Sequence, residues 1–252
     1  MLDQITPVIL ARDEEVNIGR TLGQLTWANE IVLVDSMSTD ATLEIARRFQ
    51  NVRIFQGEFG SLTEQTTFGL NQVRTPWVLL LDSDFFVPHE FADEARALKP
   101  GPNVRAYIGA FEYAVNGRKL RASLYPPRIV LFQRAHTTVW QDGHAPRYVA
   151  DGEVGTLTTR IVHDDRKNFA RFIARQKKYM RQEAEKIRRS DVRALPISGR
   201  IRKLIVVAPF AVVVHTLFVK GLILDGRAGL RYTWERFVAE VILSRELLRR
   251  RS

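Results

Sequence analysis

No cysteine occurs anywhere in the 252 residues. Disulfides, zinc–thiolate centres and thiol nucleophiles are thereby excluded together, and the composition fits a reducing compartment. The start of the chain also lacks a basic flank leading into a short apolar run and a small-residue cleavage site: Met1-Leu2-Asp3-Gln4 runs straight into a strand-like stretch, so the chain is read as non-secreted. Acids are scarce beside bases, 28 against 38, and the formal net charge of +10 calls for an anionic partner, whether nucleic acid, a phospholipid surface or a phosphate-bearing substrate. Internal repeats and low-complexity linkers are missing as well. Apolar residues, by contrast, make up 45% of the chain, enough for one sizeable core plus an appendage.

Along the first hundred residues, short apolar runs at 5–10, 31–34, 52–55 and 77–81 alternate with segments of helical period at 17–26, 41–49 and 61–73. This rhythm predicts a parallel sheet covered by helices. Ser61, followed three residues on by Glu64, reads as a capping box that starts the third helix, and Ala41, Ile45, Ala46 and Phe49 mark the buried face of the second. Beyond residue 105 the pattern becomes mixed. A hairpin of 106–115 and 119–124 turns at Asn116-Gly117, Pro126-Pro127 breaks the chain, and a strand follows at 129–132. A polar loop to about residue 155 leads to a last strand at 160–162 that ends at His163.

Ligands of open α/β sheets bind beyond the carboxyl ends of the strands. Three acidic clusters lie at such ends: Asp13-Glu14-Glu15, Asp35 followed by 36–40, and Asp82-Ser83-Asp84. In a parallel sheet all three open on one edge, where so much negative charge is costly unless a cation or hydrogen-bond donors meet it. Asp82 and Asp84 suit Mg2+ or Mn2+, ions that fill their remaining positions with substrate phosphate and water. An Asp-x-Asp pair by itself is more often a solvated turn; the buried strand before it and the two companion clusters reverse that in favour of the cation. Asp35 reads either as a strand end followed by the capping residues Ser38 or Asp40, or as an acceptor for the imide N–H of a base. The acids at 13–15 are also open to the reading that they complement a helix dipole.

Val8-Ile9-Leu10-Ala11-Arg12-Asp13-Glu14-Glu15-Val16-Asn17-Ile18, then Asp35-Ser36-Met37-Ser38-Thr39-Asp40-Ala41-Thr42, then 77–84 resemble, in order and spacing, the successive motifs of family 2 glycosyltransferases. Bacterial lipopolysaccharide-core and related envelope enzymes are the subgroup most like it, and the likeness extends to His163-Asp164-Asp165-Arg166-Lys167. The resemblance implies an α/β fold of the GT-A (Rossmann-like) type, a mixed sheet with helices on both faces. It also implies inverting, metal-dependent transfer from a nucleotide-sugar donor, a nucleoside diphosphate sugar. In that scheme Asp35 contacts the base, Asp13, Glu14 and Ser38 line the same pocket, Asp82 lies near ribose and beside the metal, Asp84 ligates Mg2+ or Mn2+, and His163 completes the metal site. Asp13 stands where many relatives have Asn, which leaves its hydrogen-bonding role open. Inverting transfer needs a group to take the acceptor's proton. Ala145 occupies the place where the resemblance puts an acid, so Asp142 is the preferred base, with His144 or Glu153 as alternatives. Arg128 and Arg147 suit oxyanion contacts but read more readily as solvated surface charges.

Basic residues crowd the last third. Residues 1–165 are read as the catalytic domain and 166–252 as a basic helical region opened by a long helix at 168–189. The stretch 204–224 is apolar except for His215, Thr216 and Lys220, about the ~20 residues that cross a bilayer. Yet Arg200, Arg202 and Lys203 precede it, Arg227 and Arg231 follow it, and Pro209 interrupts it, against the charge asymmetry of a single span. A membrane-associating interfacial helix or helical hairpin on an anionic surface fits better, with a buried core or dimer helix as the alternative. The amphipathic 230–248 follows. The expected setting is the cytoplasmic face of the bacterial inner membrane, with a lipid-linked or envelope glycan as acceptor and an oligomer compatible with the sequence. Rival readings are a nucleotidyltransferase and a non-catalytic nucleic-acid or membrane adaptor on a transferase scaffold. Sparse aromatic interleaving in the basic segments opposes nucleic acid.

Overall fold

Every residue of strands β1 (Ile5–Ala11) and β2 (Ile31–Asp35) is buried, which is why both read as continuous apolar runs without alternation. In the computed structural model, which describes residues 1–142 and 145–249, their side chains alternate between two cores. Ile5, Ile9, Ile31 and Leu33 face one, and Val8, Leu10, Val32 and Val34 the other. Strand β4 (Trp77–Asp82) divides in the same way, Leu79 and Leu81 against Val78 and Leu80. Helices α1 (Ile18–Gly23) and α2 (Thr42–Ala46) supply Ile18, Leu22 and Ala46 to the first core; α3 (Leu62–Gln72) supplies Leu70 to the second. The sheet therefore carries helices on both faces.

Ser61 caps α3 by accepting from the Glu64 N–H at 3.1 Å, while Glu64 Oε2 accepts from the N–H of Gly60 at 2.8 Å, one residue short of a reciprocal capping box. Gly69 lets this helix lie close against the strands, since a Cβ there would come within 2.8 Å of Val34 and 2.9 Å of Val8.

The sheet has seven strands. Adding β3 (Val52–Gln56), β6 (Val104–Gly109), β9 (Arg128–Gln133) and β12 (Glu153–Thr156), its order is β12-β6-β9-β4-β1-β2-β3. Strands β4, β1, β2 and β3 run parallel, and β9 is antiparallel to both β4 and β6, which makes the sheet mixed. The run 106–115 expected as one strand is two: it breaks at Ala110, and β7 (Phe111–Val115) leaves for a second sheet. There β13 (Ile161–His163) lies parallel to β7 and antiparallel to the two-residue β5 (Phe85–Phe86). Helix α4 (Glu90–Ala97) connects β5 to β6, and β10 (Thr137–Asp142) pairs with β11 (Ala145–Ala150). Asn116 and Gly117 both take positive φ, 51° and 83°, as a type I′ turn requires.

These elements, with the chain through Arg166, form one compact unit; the second contains Gly117–Leu124, Asp142 and the chain from Lys167 on. Within Gly117–Leu124, Arg118–Lys119 is strand (β8), in place of the strand expected over 119–124. The N–H groups of Arg121 and Leu124 go instead to the Asp225 carboxylate and the Tyr232 hydroxyl, at 3.1 and 2.8 Å. Asn168 caps α5 (Phe169–Arg189) through the Arg171 N–H at 3.0 Å. The apolar stretch 204–224 is not one helix. After α6 (Ile197–Lys203), α7 (Val207–Val214) holds Pro209 in its first turn, where the missing N–H removes no helical bond. A π-helical turn (His215–Val219) follows, Gly221 takes φ 70°, and a 3-10 turn (Leu222–Asp225) leads into α8 (Gly226–Leu248). Arg202 fastens α6 to α8 through both oxygens of Glu240.

Candidate active site

The loops that leave β1 and β2 are built against each other. Asp13 and Met37 both take left-handed φ, 52° and 54°, a conformation non-glycine residues seldom hold without surrounding support. That support is a chain of hydrogen bonds. Asp13 N–H donates to Ser38 Oγ at 2.8 Å, and Ser38 Oγ donates onward to Asp35 Oδ1. In return Asp13 Oδ1 accepts from the Thr39 N–H at 2.8 Å. Asp35 is fully enclosed, and its Oδ2 also accepts from Ser38 N–H at 2.9 Å and Gln56 Nε2 at 3.2 Å, so its charge is met by donors rather than by a cation. Glu14 N–H reaches Thr42 Oγ1 at 2.7 Å, and its carboxylate accepts from Asn17 Nδ2 at 2.9 Å. Asp13 thus has a definite role, clasping the second loop, which its departure from Asn had left open. Ser38, read as a possible cap and as a pocket residue, links Asp13 to Asp35 in this network.

The acids after β4 take different partners. Phe85 pairs with His163 in the β5–β13 register, so Asp84, immediately before Phe85, is brought to the end of β13. Its Oδ2 lies 3.2 Å from His163 Nε2, and Asp84 is only 7% exposed. The imidazole is walled by Phe85, Tyr113 and Tyr125, ring centres 5.3, 4.7 and 4.9 Å away, which fixes its orientation. This O···N spacing is that of a hydrogen bond, and it is also compatible with two ligands at ~2.1 Å from one divalent ion in adjacent octahedral positions, which lie about 3 Å apart. Asp82, expected in the same ligand set, turns elsewhere: its Oδ2 accepts from Arg128 at 3.0 Å. Among the described residues no three acidic or histidine side chains converge as a complete cation site. Two protein ligands would match the few-ligand arrangement in which substrate oxygens and water complete the shell.

Arg128, read from sequence as more a surface charge than an oxyanion contact, is half-buried and held against aromatic rings. Its guanidinium lies 5.0 Å from the Phe85 ring centre and 5.6 and 5.7 Å from those of Phe111 and Tyr125. Burial, the largest single influence, opposes its charge, but the Asp82 carboxylate together with Tyr125 and Tyr148 raises its pKa above the usual arginine value. Pro126-Pro127 was the only local hint of a special position. A second group was touched only by the family likeness, which gave its residues no role. Asn17 and Arg20, on the turn entering α1 and its first turn, join Asp164 across 144 residues of chain: Arg20 donates to Asp164 Oδ2 at 2.9 Å, and Arg166 donates to the same oxygen at 2.9 Å. Asn17 Oδ1 accepts from Arg20 at 2.9 Å. The network ties the first acidic loop to the segment just after His163.

Asp142, the preferred base, belongs to the second unit, where its Oδ1 lies 2.6 Å from Lys186 Nζ on α5. His144 lies outside the described residues. Glu153, the other alternative, begins β12 at the sheet edge and is exposed.

Solved structures share this arrangement of strands and helices. S. aureus TarS (residues 1–349) superposes with a TM-score of 0.50 at 16% identity, over 94% of this chain and 80% of that one. TarS in complex with UDP-GlcNAc gives the same score and identity over 91% and 78%. At that identity the likeness is one of fold. An uncharacterized glycosyltransferase of Rickettsia typhi is 25% identical over 108 residues, which span 42% of this chain and 37% of that protein, so the chain matches little more than a third of that relative. The sequence profile described as glycosyl transferase family 2 matches residues 7–140, from β1 into β10 and over half of the chain, and the chain accordingly belongs to glycosyl transferase family 2.

Proposed function

We propose that this protein is an inverting glycosyltransferase that uses a divalent cation, Mg2+ or Mn2+, to hold a nucleoside diphosphate sugar and passes the sugar to a lipid-linked or cell-envelope glycan. The observation that carries the reading is the Asp84–His163 pair, a carboxylate oxygen and an imidazole nitrogen 3.2 Å apart at one sheet end. The TarS complex with UDP-GlcNAc supports a nucleotide-sugar donor on this fold. When bound, the cation would neutralise the diphosphate and the charge it gains as the sugar leaves.

The chain's own residues then have distinct tasks. Asp35, Ser38, Asp13 and Glu14 hold the two loops in the shape that receives the nucleoside. Arg128, charged and close to Asp82, is a further donor for phosphate oxygens, for which guanidinium geometry is suited. Asp142 is retained as the acceptor's base, so Asp142→Asn should slow transfer while leaving donor binding intact. The central test is Asp84→Asn assayed for nucleoside diphosphate release in Mn2+. A rate loss on the order of a hundredfold or more is expected for loss of a charge-stabilising group; unchanged release would refute the cation role. Release of pyrophosphate in place of nucleoside diphosphate would identify a nucleotidyltransferase instead.

A further inference from the structure

The second unit leaves an apolar face uncovered. Val207, Phe210, Val214 and Phe218 recur at steps of three and four along α7 and the π turn, and all are exposed, Phe210 and Phe218 at 64% each. Leu224 continues the face past the Gly221 bend at 69%, and Trp234 on α8 adds to it at 55%. Phe237 joins these elements, its ring centre 6.2 Å from Phe210 and 5.5 Å from Trp234. The residues behind the stripe, Ala208, Pro209 and Thr216, are buried, so this is the outer face of a packed element and not a loosened core.

The charge around it selects the occupant. From 192 to 224 there is no Asp or Glu, whereas Arg193, Arg200, Arg202, Lys203 and Lys220 are present, and Arg227 follows. Arg202 is neutralised by Glu240 and Glu183, while Arg200 and Lys203 donate to backbone carbonyls. A second copy of this chain would bring like charges together along such a face. Anionic headgroups would complement it, and the acyl boundary would take Phe210, Phe218 and Leu224. Among the described residues no single helix is long and apolar enough to cross a bilayer; the pair Val207–Val219 and Leu222–Leu248 is bent by 73°.

From these features we infer that the bent α7–α8 pair docks on an anionic phospholipid bilayer from one side, inserting its Phe210–Phe218–Leu224 face without spanning. Flotation of the full chain tests this without any sugar donor, so its failure would leave the donor chemistry standing. Wild type should float with phosphatidylcholine–phosphatidylglycerol vesicles, more weakly in high salt and with pure phosphatidylcholine. Phe210→Ser/Phe218→Ser/Leu224→Ser should partition on the order of tenfold less or lower. Equal partition of the two proteins, or no flotation of wild type, overturns the inference. So does sedimentation showing a dimer that the same substitutions disperse. If the triple variant fails to fold, brominated anionic lipid decides: it should quench wild-type emission through Trp234, and the quench should vanish in Trp234→Phe. Absence of quenching in wild type is the overturning result.

Discussion

At the scale of single residues, the acidic positions divide by what answers their charge. Asp35 is answered by three hydrogen-bond donors, Asp82 by Arg128, and Asp164 by two arginines, while Asp84 faces an imidazole nitrogen. Asp164 is 2% exposed, and removing its carboxylate takes the charged partner from both Arg20 and Arg166, leaving Arg20 with Asn17 Oδ1 and the Asp164 carbonyl. Asp164→Ala should cost about 3 kcal/mol in urea unfolding, the range for breaking a buried pair; a change near zero would show that solvent takes over its part. Glu94 is answered differently again. Burial, the largest single influence, pushes its carboxyl up, but hydrogen bonds from Thr159 and Thr158 together outweigh it and leave its pKa below the ordinary glutamate value. A lowered folded pKa stabilises the folded chain above the unfolded value, near 4.5, and that contribution disappears as pH falls through the folded one. Acid unfolding followed by circular dichroism should therefore be shallower below about pH 4.5 in Glu94→Gln than in wild type.

At the scale of elements, boundaries were set by where backbone groups found partners. The hairpin expected to run on to residue 124 stops at Lys119 because the following N–H groups bond to side chains of Asp225 and Tyr232. The 204–224 stretch reads as one apolar segment, yet it contains three kinds of helical turn, divided by the positive φ of Gly221 and led in by that of Ile205. Neither hydropathy nor composition encodes that division. Gly229 gives the tightest constraint in α8: a Cβ there would meet the Leu222 carbonyl oxygen at 1.9 Å. Gly229→Ala gains helix propensity of about 1 kcal/mol but cannot be placed without moving the 3-10 turn. Net destabilisation of ~1–3 kcal/mol is expected, the usual range for overpacking, seen as an earlier thermal transition. A rise in melting temperature would mean that the turn yields freely.

At the scale of the whole molecule, ligand linkage offers the simplest check on the reading. If a nucleoside diphosphate sugar and Mn2+ bind together to the folded chain, saturation at a hundredfold over Kd should stabilise it by about 2.7 kcal/mol. The melting temperature should rise with both present, and EDTA should cancel the rise; a shift unaffected by EDTA would separate donor binding from the cation. The sequence by itself determined the alternation of buried strands and helices, because strands covered on both faces must be apolar throughout. It determined the three acidic strand ends too, because their spacing is local to each βα unit. Only the tertiary structure decided which acids keep company. Asp84 meets His163 because β5 and β13 pair in one register, Asp82 meets Arg128 because β9 lies antiparallel beside β4, and Asp164 reaches Arg20 across 144 residues. Partners so far apart in the chain are brought together by strand order and register, which no local pattern records.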